Sequence, residues 1–447
     1  MKININSYNL ITKDKSKYLE IEIQTTLPNG IERISKATIN ITSIGYFFNR
    51  NPKVVCSFLL FSSIVYAIDR SIERKRYSVD GWSREFDVNF LIPEAKTFTC
   101  NSTLINKILG FLTGDYWNCQ FQETSVPIFS DYAEVNCFDE IKQVNLFSGG
   151  MDSLIGAIDF MATNIDGKVF LASHYDSKMG GPKSDQKRLL DQFQLKYKDK
   201  FACFPKETAV LIESSLSMET TCRSRSLLFI AIALQVSVHK NVPIIVPENG
   251  SVSLNYPLSV SRRSSCSTRT THPIVLFELR QLLSCFDVPT EIINPYEFMT
   301  KGEMVNKCID QEYLLQINHL SNSCGKRGRK QYFYDNPKAT HCGRCMPCMY
   351  RKAALIGCED RTLYGISLNT LFNMKSNKLS DDFYAMINFL KRDISEKDIR
   401  RELNIAGLGI LPDISNYVDL VIRTRNELKQ LINVEGNTNL KHFIGLI

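Results

Sequence analysis

A chain of 447 residues, 44% hydrophobic and 23% charged, is too long for one ordinary core and too apolar for a disordered polymer, so two or three globular domains are expected. The formal net charge of +7 is a mild excess that suits an enzyme handling ATP or another anion and does not demand a nucleic-acid partner. No basic stretch followed by an apolar one opens the chain, and its fourteen cysteines then read as thiols or metal ligands of a cytoplasmic protein, not as disulfides.

The first 140 residues read as a β-rich accessory domain of α+β type with an antiparallel sheet. Leu19, Ile21 and Ile23 alternate with Glu20, Glu22 and Gln24, the period-two pattern of a half-buried strand. Phe86, Val88 and Phe90 repeat it, as do Trp117, Cys119 and Phe121. Between them a helix is expected from Val54 to about Lys75. Its apolar part, Val54 to Ile68, is about fifteen residues long and interrupted by Ser57, Ser62 and Ser63. A membrane span needs roughly twenty, so this is read as a buried helix and no membrane partner is expected. Cys56, Cys100, Cys203 and Cys266 stand singly and read as small buried hydrophobes.

From Val144 the character changes. Val144-Asn145-Leu146-Phe147 reads as a short buried strand, followed by a glycine turn and a helical pattern at Leu154, Ile155, Ile158 and Met161. Val169 to Ala172 is a second strand, then come a polar helix through Lys187 to Phe193, an apolar helix from Leu227 to Val238 and a strand at Pro243 to Val246. Strands alternating with helices define an α/β domain, residues 141–356, with a Rossmann-like parallel sheet covered on both faces. Ligands of such sheets sit beyond the carboxyl ends of the strands. From Gly357 to residue 447 the pattern is helical, a C-terminal extension.

Between the first strand and first helix of the α/β unit lies Ser148-Gly149-Gly150-Met151-Asp152-Ser153. Its glycines let backbone N–H groups approach an anion, and the helix N-terminus adds a favourable dipole. Ser148 and Ser153 can donate to phosphate oxygens, and Asp152, read as an exposed loop carboxylate, can hold Mg²⁺ against a pyrophosphate. A capped helix after a Gly-Gly turn is the plainer alternative. These residues match the SGGxDS signature of the PP-loop ATP pyrophosphatases. That superfamily resemblance implies cleavage of ATP between its α and β phosphates, giving an adenylated substrate and pyrophosphate.

Cys342, Cys345 and Cys348 stand three residues apart with Gly343 and Pro347 between them, a spacing that suits a tetrahedral zinc. For a fourth ligand, Cys324, eighteen residues upstream, competes with Cys308, Cys358 and His341. The run from Ser323-Cys324 to Cys342-Gly343-Arg344-Cys345-Met346-Pro347-Cys348-Met349-Tyr350-Arg351 resembles the 7-cyano-7-deazaguanine synthase (QueC) family, where a Ser-Cys and a CGxCxxC run bind one zinc. The resemblance spans roughly Val144 to Ala354 and implies Cys324 as the fourth ligand. The basic insert Lys326-Arg327-Gly328-Arg329-Lys330 departs from the short family spacing and reads as a solvated loop, with a face for an acidic partner as the alternative.

Arg225-Ser226-Leu227-Leu228-Phe229-Ile230 is similar to the family's Arg-Asn-Leu-Leu-Phe-Leu, which implies that Arg225 lies at the nucleotide. Thr300-Lys301-Gly302-Glu303 resembles the family's Lys-containing helix start and implies that Lys301 stabilises the leaving pyrophosphate. Pro247-Glu248-Asn249-Gly250, Asn255-Tyr256-Pro257-Leu258 and Ser267-Thr268-Arg269-Thr270-Thr271-His272-Pro273 follow the last strand. A carboxylate and amides there suit the edge of a guanine-like base, with Glu248, Asn249, Asn255 and Thr270 as candidates and His272 read as structural.

The family resemblance therefore implies activation of 7-carboxy-7-deazaguanine by ATP, with Mg²⁺ and Zn²⁺, and transfer to ammonia or another amine. About 140 residues precede the α/β domain and about 90 follow it, whereas a plain synthase is much shorter. Ala67-Ile68-Asp69-Arg70, Trp82-Ser83-Arg84 and Thr113-Gly114-Asp115-Tyr116-Trp117 resemble the long QueC-like proteins of bacterial antiviral defence clusters, the QatC group. That implies an acceptor amine on a partner protein. An ordinary nitrile synthase of queuosine biosynthesis, a tRNA-modifying PP-loop enzyme and a non-catalytic nucleotide-binding scaffold are the rivals, and a nucleic-acid partner is the less favoured.

Overall fold

The computed structural model describes residues 1–125, 139–163, 166–175, 181–206, 208–259, 269–327, 329–374 and 377–447. Cys266, Ser267, Thr268 and Gly328 lie outside the described residues. The protein is mixed α/β, built on a seven-stranded mixed sheet and a five-stranded parallel sheet.

The larger sheet opens with β1 (Lys2–Lys13), β2 (Ser16–Thr26) and β3 (Glu32–Asn40), paired antiparallel. On β2 the alternation works as read: Leu19, Ile21 and Ile23 are buried. The antiparallel expectation holds only for this part. β4 (Glu85–Ile92) and β5 (Tyr116–Glu123) extend the sheet parallel to β1. Helices separate β3 from β4 and β4 from β5, and a helical crossover returns the chain in the same direction.

The sheet does not end with the first 140 residues. β10 (Thr208–Ser214) pairs antiparallel with β3, and β8 (His174–Tyr175) pairs with β10. Two strands from the middle of the chain thus complete a sheet begun at the N-terminus.

The smaller sheet has the order β12 (Ile292–Ile293), β11 (Ile244–Ile245), β6 (Ile141–Leu146), β7 (Lys168–Ala172), β9 (Phe201–Ala202). Sequence order runs outward from β6 through β7 to β9, then restarts on the other side with β11 and β12. The sheet therefore has a switch point between β6 and β11, where the loops leaving two neighbouring strands diverge and leave a crevice.

The Lys53–Ser71 helix passes the length and apolarity test for a membrane span, yet 94% of its most apolar window is buried inside the protein. It packs against the Arg225–Lys240 helix, and the pair lies between the two sheets, touching β3, β4 and β10 on one side and β6, β7 and β11 on the other. Phe58, Phe61, Leu228 and Ile232 belong to this one continuous core. The expected helix to Lys75 stops at Ser71, because Ile72 is extended, and resumes for one turn at Arg74–Tyr77. Cys56 is buried as read, but Cys100 is exposed and Cys203 half-buried. The C-terminal helices share a second core with Leu254, Tyr256, Ile274 and Met349 of the α/β part.

Candidate functional site

The Ser148–Ser153 turn leaves β6 on the carboxyl side of the parallel sheet. Gly149 has φ +84°, the left-handed conformation that favours glycine, and a Cβ there would meet Gln186 and Asp185 side-chain or backbone atoms at 3.3 to 3.5 Å. Gly150 caps the Met151–Met161 helix. The Gly150 amide donates to Ser148 Oγ at 3.3 Å, and the Ser148 and Ser153 hydroxyls are 3.3 Å apart. Two serines and a helix N-terminus therefore face one spot, an arrangement that can hold an anion.

The loop after β11 closes the crevice. A Cβ on Gly156 would lie 2.5 Å from Pro247 Cβ, so the absence of a side chain there lets the Met151–Met161 helix touch the loop after β11. A cleft of about 530 Å³ results, within the range of small-ligand sites, lined by Ser148, Gly150, Asp152, Ser153, Arg225, Glu248, Lys301 and Arg327 among others. An adjoining hollow of about 370 Å³ shares Ser148, Ser153, Arg225 and Glu248 and adds Thr270 and Thr271.

Asp152 differs from the sequence expectation of an exposed loop carboxylate. It is buried and ion-paired with Lys301, itself only 3% exposed. Asn249 Nδ2 donates to the same carboxylate at 2.6 Å. Burial raises the Asp152 pKa, but the Lys301 charge and hydrogen bonds from Glu248, Lys301 and Asn249 outweigh it and hold the carboxyl below its usual range. Glu248 moves the other way: burial, then repulsion from Asp152, keeps it protonated well above the ordinary carboxyl value. One lysine thus serves two carboxyl groups, one charged and one neutral.

Lys301 sits at the first position of the Lys301–Asn306 helix, and Thr300 and Glu303 form a full capping box there. The Ile414–Glu435 helix braces this turn: Glu427 accepts from Thr300 Oγ1 and from the Gly302 amide, and Arg423 pairs with Glu303. It also reaches the Gly250–Leu254 helix, where Ser251 and Thr424 hydroxyls are 2.5 Å apart. The helical extension therefore buttresses the elements that carry Lys301 and Asn249.

Arg225, at the start of the Arg225–Lys240 helix, gives one Nη2 bond to the His174 carbonyl at 3.1 Å. Its Nε is buried without a partner among the described residues, a donor left over at the wall of the cleft.

Of the four proposed base-binding residues, two line this crevice, Glu248 and Thr270, each half-buried. Asn249 is fully buried, accepts from the Val252 amide as the helix cap and donates to Asp152, so it positions the site and presents nothing to a ligand. Asn255 ends that helix with φ +47° and lines two other hollows, one with Arg269 and His272 and one with Tyr350 and Asp382. His272 caps the Pro273–Cys285 helix through Nδ1, and burial, then the Arg269 charge, lowers its pKa to about 3, as suits a structural residue.

Sequence reasoning gave no site role to Asn322, Ser323, Arg327 or Asp185. Ser323 Oγ accepts from the Met151 amide at 3.2 Å, and the Asn322 amide donates to Gly149 O at 2.9 Å, so the segment before Cys324 walls the glycine turn. Arg327 lines the cleft and pairs with buried Asp185, and Lys326 pairs with Asp382 at 2.7 Å. This half of the basic insert is tied down, not solvated. The pattern held a clue to Ser323 in the Ser-Cys pair and none to Asp185.

Cys324, Cys342, Cys345 and Cys348 place their sulfurs within 4.8 Å of one another. A tetrahedral zinc with Zn–S bonds of about 2.3 Å spaces its sulfurs about 3.8 Å apart, and Cys342 and Cys348 Sγ are 3.8 Å apart. Amides point at the sulfurs as they would at thiolates: Cys342 N to Cys324 Sγ at 3.2 Å, and Arg344 N and Cys345 N to Cys342 Sγ at 3.4 Å. The donor set fits a structural zinc, with Cys324 as the fourth sulfur. Cys308 packs with Met304 and Leu314 in the core instead. Neither Cys358 nor His341 belongs to the cluster.

Compared with protein-family models, with curated proteins and with solved structures, the chain matches none.

Proposed function

We propose that the protein is an ATP-dependent, carbon–nitrogen bond-forming ligase of the PP-loop type, which activates a 7-deazaguanine carboxylate and passes it to an amine. The observation that carries this is the meeting, at the sheet's switch point, of Ser148, Gly150 and Ser153 with Arg225, Lys301 and Asp152.

In this reading the hydroxyls, the Gly150 turn and the helix N-terminus bind the phosphates of ATP. Lys301 and Arg225 stabilise the charge that builds on departing pyrophosphate. Asp152 is the carboxylate that would hold a Mg²⁺ ion brought with the nucleotide, and that ion would supply further charge neutralisation. The substrate carboxylate oxygen attacks the α-phosphorus, the α–β phosphoanhydride bond breaks, and pyrophosphate leaves. A neutral amine then attacks the acyl carbon, loses its proton and expels AMP. The protein supplies no covalent nucleophile, because alignment and charge stabilisation are sufficient. Protonated Glu248 and the hydroxyl of Thr270 are the groups available to a guanine-like base.

An amine carried by a protein partner is favoured over ammonia by the hollows beside the cleft. Val252 and Pro347 line both the cleft and a second hollow, and Asn255, Tyr256 and Pro257 join that one to a third. Ammonia requires no such path. A zinc held by the four sulfurs would fix Cys324's neighbours Asn322 and Ser323 against the glycine turn. Incubation with ATP, Mg²⁺ and 7-carboxy-7-deazaguanine tests the reading: chromatography should show AMP and pyrophosphate, and ADP alone would overturn it.

A further inference from the structure

The three short motifs Ala67–Arg70, Trp82–Arg84 and Thr113–Trp117 take no part in the chemistry above, yet they converge. Arg84 is fully buried and joins two buried carboxylates, its Nη2 at 2.6 Å from Asp69 Oδ1 and 2.7 Å from Asp115 Oδ2. Arg74 makes a second contact with Asp115, Nη2 to Oδ2 at 2.9 Å. Arg84, held in turn by Asp115 and through it by Arg74, thus fixes the direction of the Asp69 carboxylate.

The free oxygen of Asp69 does not end in this knot. Oδ2 accepts from the Ser224 amide at 3.1 Å and from the Ser224 hydroxyl at 2.8 Å, across 155 residues of sequence. Ser224 is the cap of the Arg225–Lys240 helix, and its own side chain makes no capping bond. Asp69 therefore caps that helix from outside, with its negative charge at the positive end of the helix. The next residue is Arg225. Its guanidinium is held at the other end by the His174 carbonyl, and the His174 ring meets Tyr66, one turn before Asp69, edge-on at 5.3 Å.

We infer that Asp69 is a positioning residue for Arg225, acting through Ser224, and that the N-terminal unit is part of the catalytic apparatus and not an appendage. This rests on the reading of Arg225 as a phosphate-binding residue. A guanidinium on a long side chain has many rotamers, and anchoring its backbone lowers the entropy lost when it meets an anion.

A double-mutant cycle tests this, read as the affinity for Mg²⁺ and α,β-methylene-ATP titrated into the purified chain. Arg225→Ala should weaken binding about ten- to a hundredfold, as for loss of a hydrogen bond to a charged group. Ser224→Ala should weaken it about three- to tenfold, and Ser224→Thr, which keeps the hydroxyl, should restore it. In the Arg225→Ala background, Ser224→Ala should add less than about twofold. Asp69→Asn, which keeps an acceptor for Ser224 but loses the charge, should show the same dependence on Arg225. If the Ser224 and Arg225 losses multiply, the positioning role is overturned and the phosphate role of Arg225 stands. If Arg225→Ala costs nothing, the phosphate role falls and this inference with it.

Discussion

Lys301 and Asp152 form a buried ion pair with side chains 4% and 7% exposed, and it joins the first turn of the Lys301–Asn306 helix to the first turn of the Met151–Met161 helix. Each partner leaves the other uncompensated if removed, and breaking such a pair costs about 3–5 kcal/mol. Asp152→Ala should therefore lose both ATP turnover and stability. Asp152→Asn, which keeps the shape and an acceptor for Lys301, should fold with a smaller loss and still fail to turn over ATP. Chemical denaturation alongside an AMP assay separates the two effects, and full turnover by Asp152→Asn would exclude a metal-binding role for this carboxylate.

Glu248 provides a pH dependence. Its folded pKa is raised from an unfolded value of 4.5 by burial and by Asp152, so its contribution to stability is full below about 4.5 and is lost as pH rises through the raised value. Ionisation there sets a second carboxylate against Asp152. Glu248→Gln cannot ionise and can still donate to Asp152, so its thermal midpoint should fall less steeply with rising pH than that of the parent. Parallel curves for the two proteins would show that Glu248 does not hold a proton.

The four cysteines should bind about one zinc per chain, measured by metal analysis of the purified protein. Cys345→Ser should lose the metal and lower the thermal midpoint, since structural zinc contributes folding energy directly. Because Asn322 and Ser323 hold the glycine turn, zinc loss should also weaken nucleotide binding. A zinc-free variant with unchanged stability and affinity would show that the cluster is not a metal centre.

Gly156→Ala places a methyl group 2.5 Å from Pro247 Cβ, and overpacking of this kind costs about 1–3 kcal/mol. The strain falls on the loop that carries Glu248, so affinity for a deazaguanine ligand should drop as well. The same substitution at Gly110, away from the cleft, where a Cβ meets nothing closer than 3.5 Å, should be tolerated and serves as the control.

Much of the fold was legible in order along the chain. Period-two patterns located β2, β4 and β5, and the strand–glycine–helix pattern located the turn at Ser148, because these signals depend only on local spacing. The triplet Cys342, Cys345 and Cys348 was equally local. What a side chain meets across the fold has no such signature. Asn249 and Glu248 both read as ligand-facing polar residues, yet one became a buried brace and the other a protonated neighbour of Asp152.

Sequence alone determined the types of the elements with a clear local pattern, the glycine turn after β6 and the thiol spacing, since backbone conformation and periodicity are set by neighbouring residues. Only tertiary structure decided that β10 and β8 complete the N-terminal sheet, that Lys301 neutralises Asp152 and that Asp69 reaches Ser224. The pairings of β10 with β3, Lys301 with Asp152 and Asp69 with Ser224 each span about 150 residues of chain or more. They form because burying a charge or a sheet edge is costly unless a partner covers it, and which partner arrives is settled by the packing of the whole core.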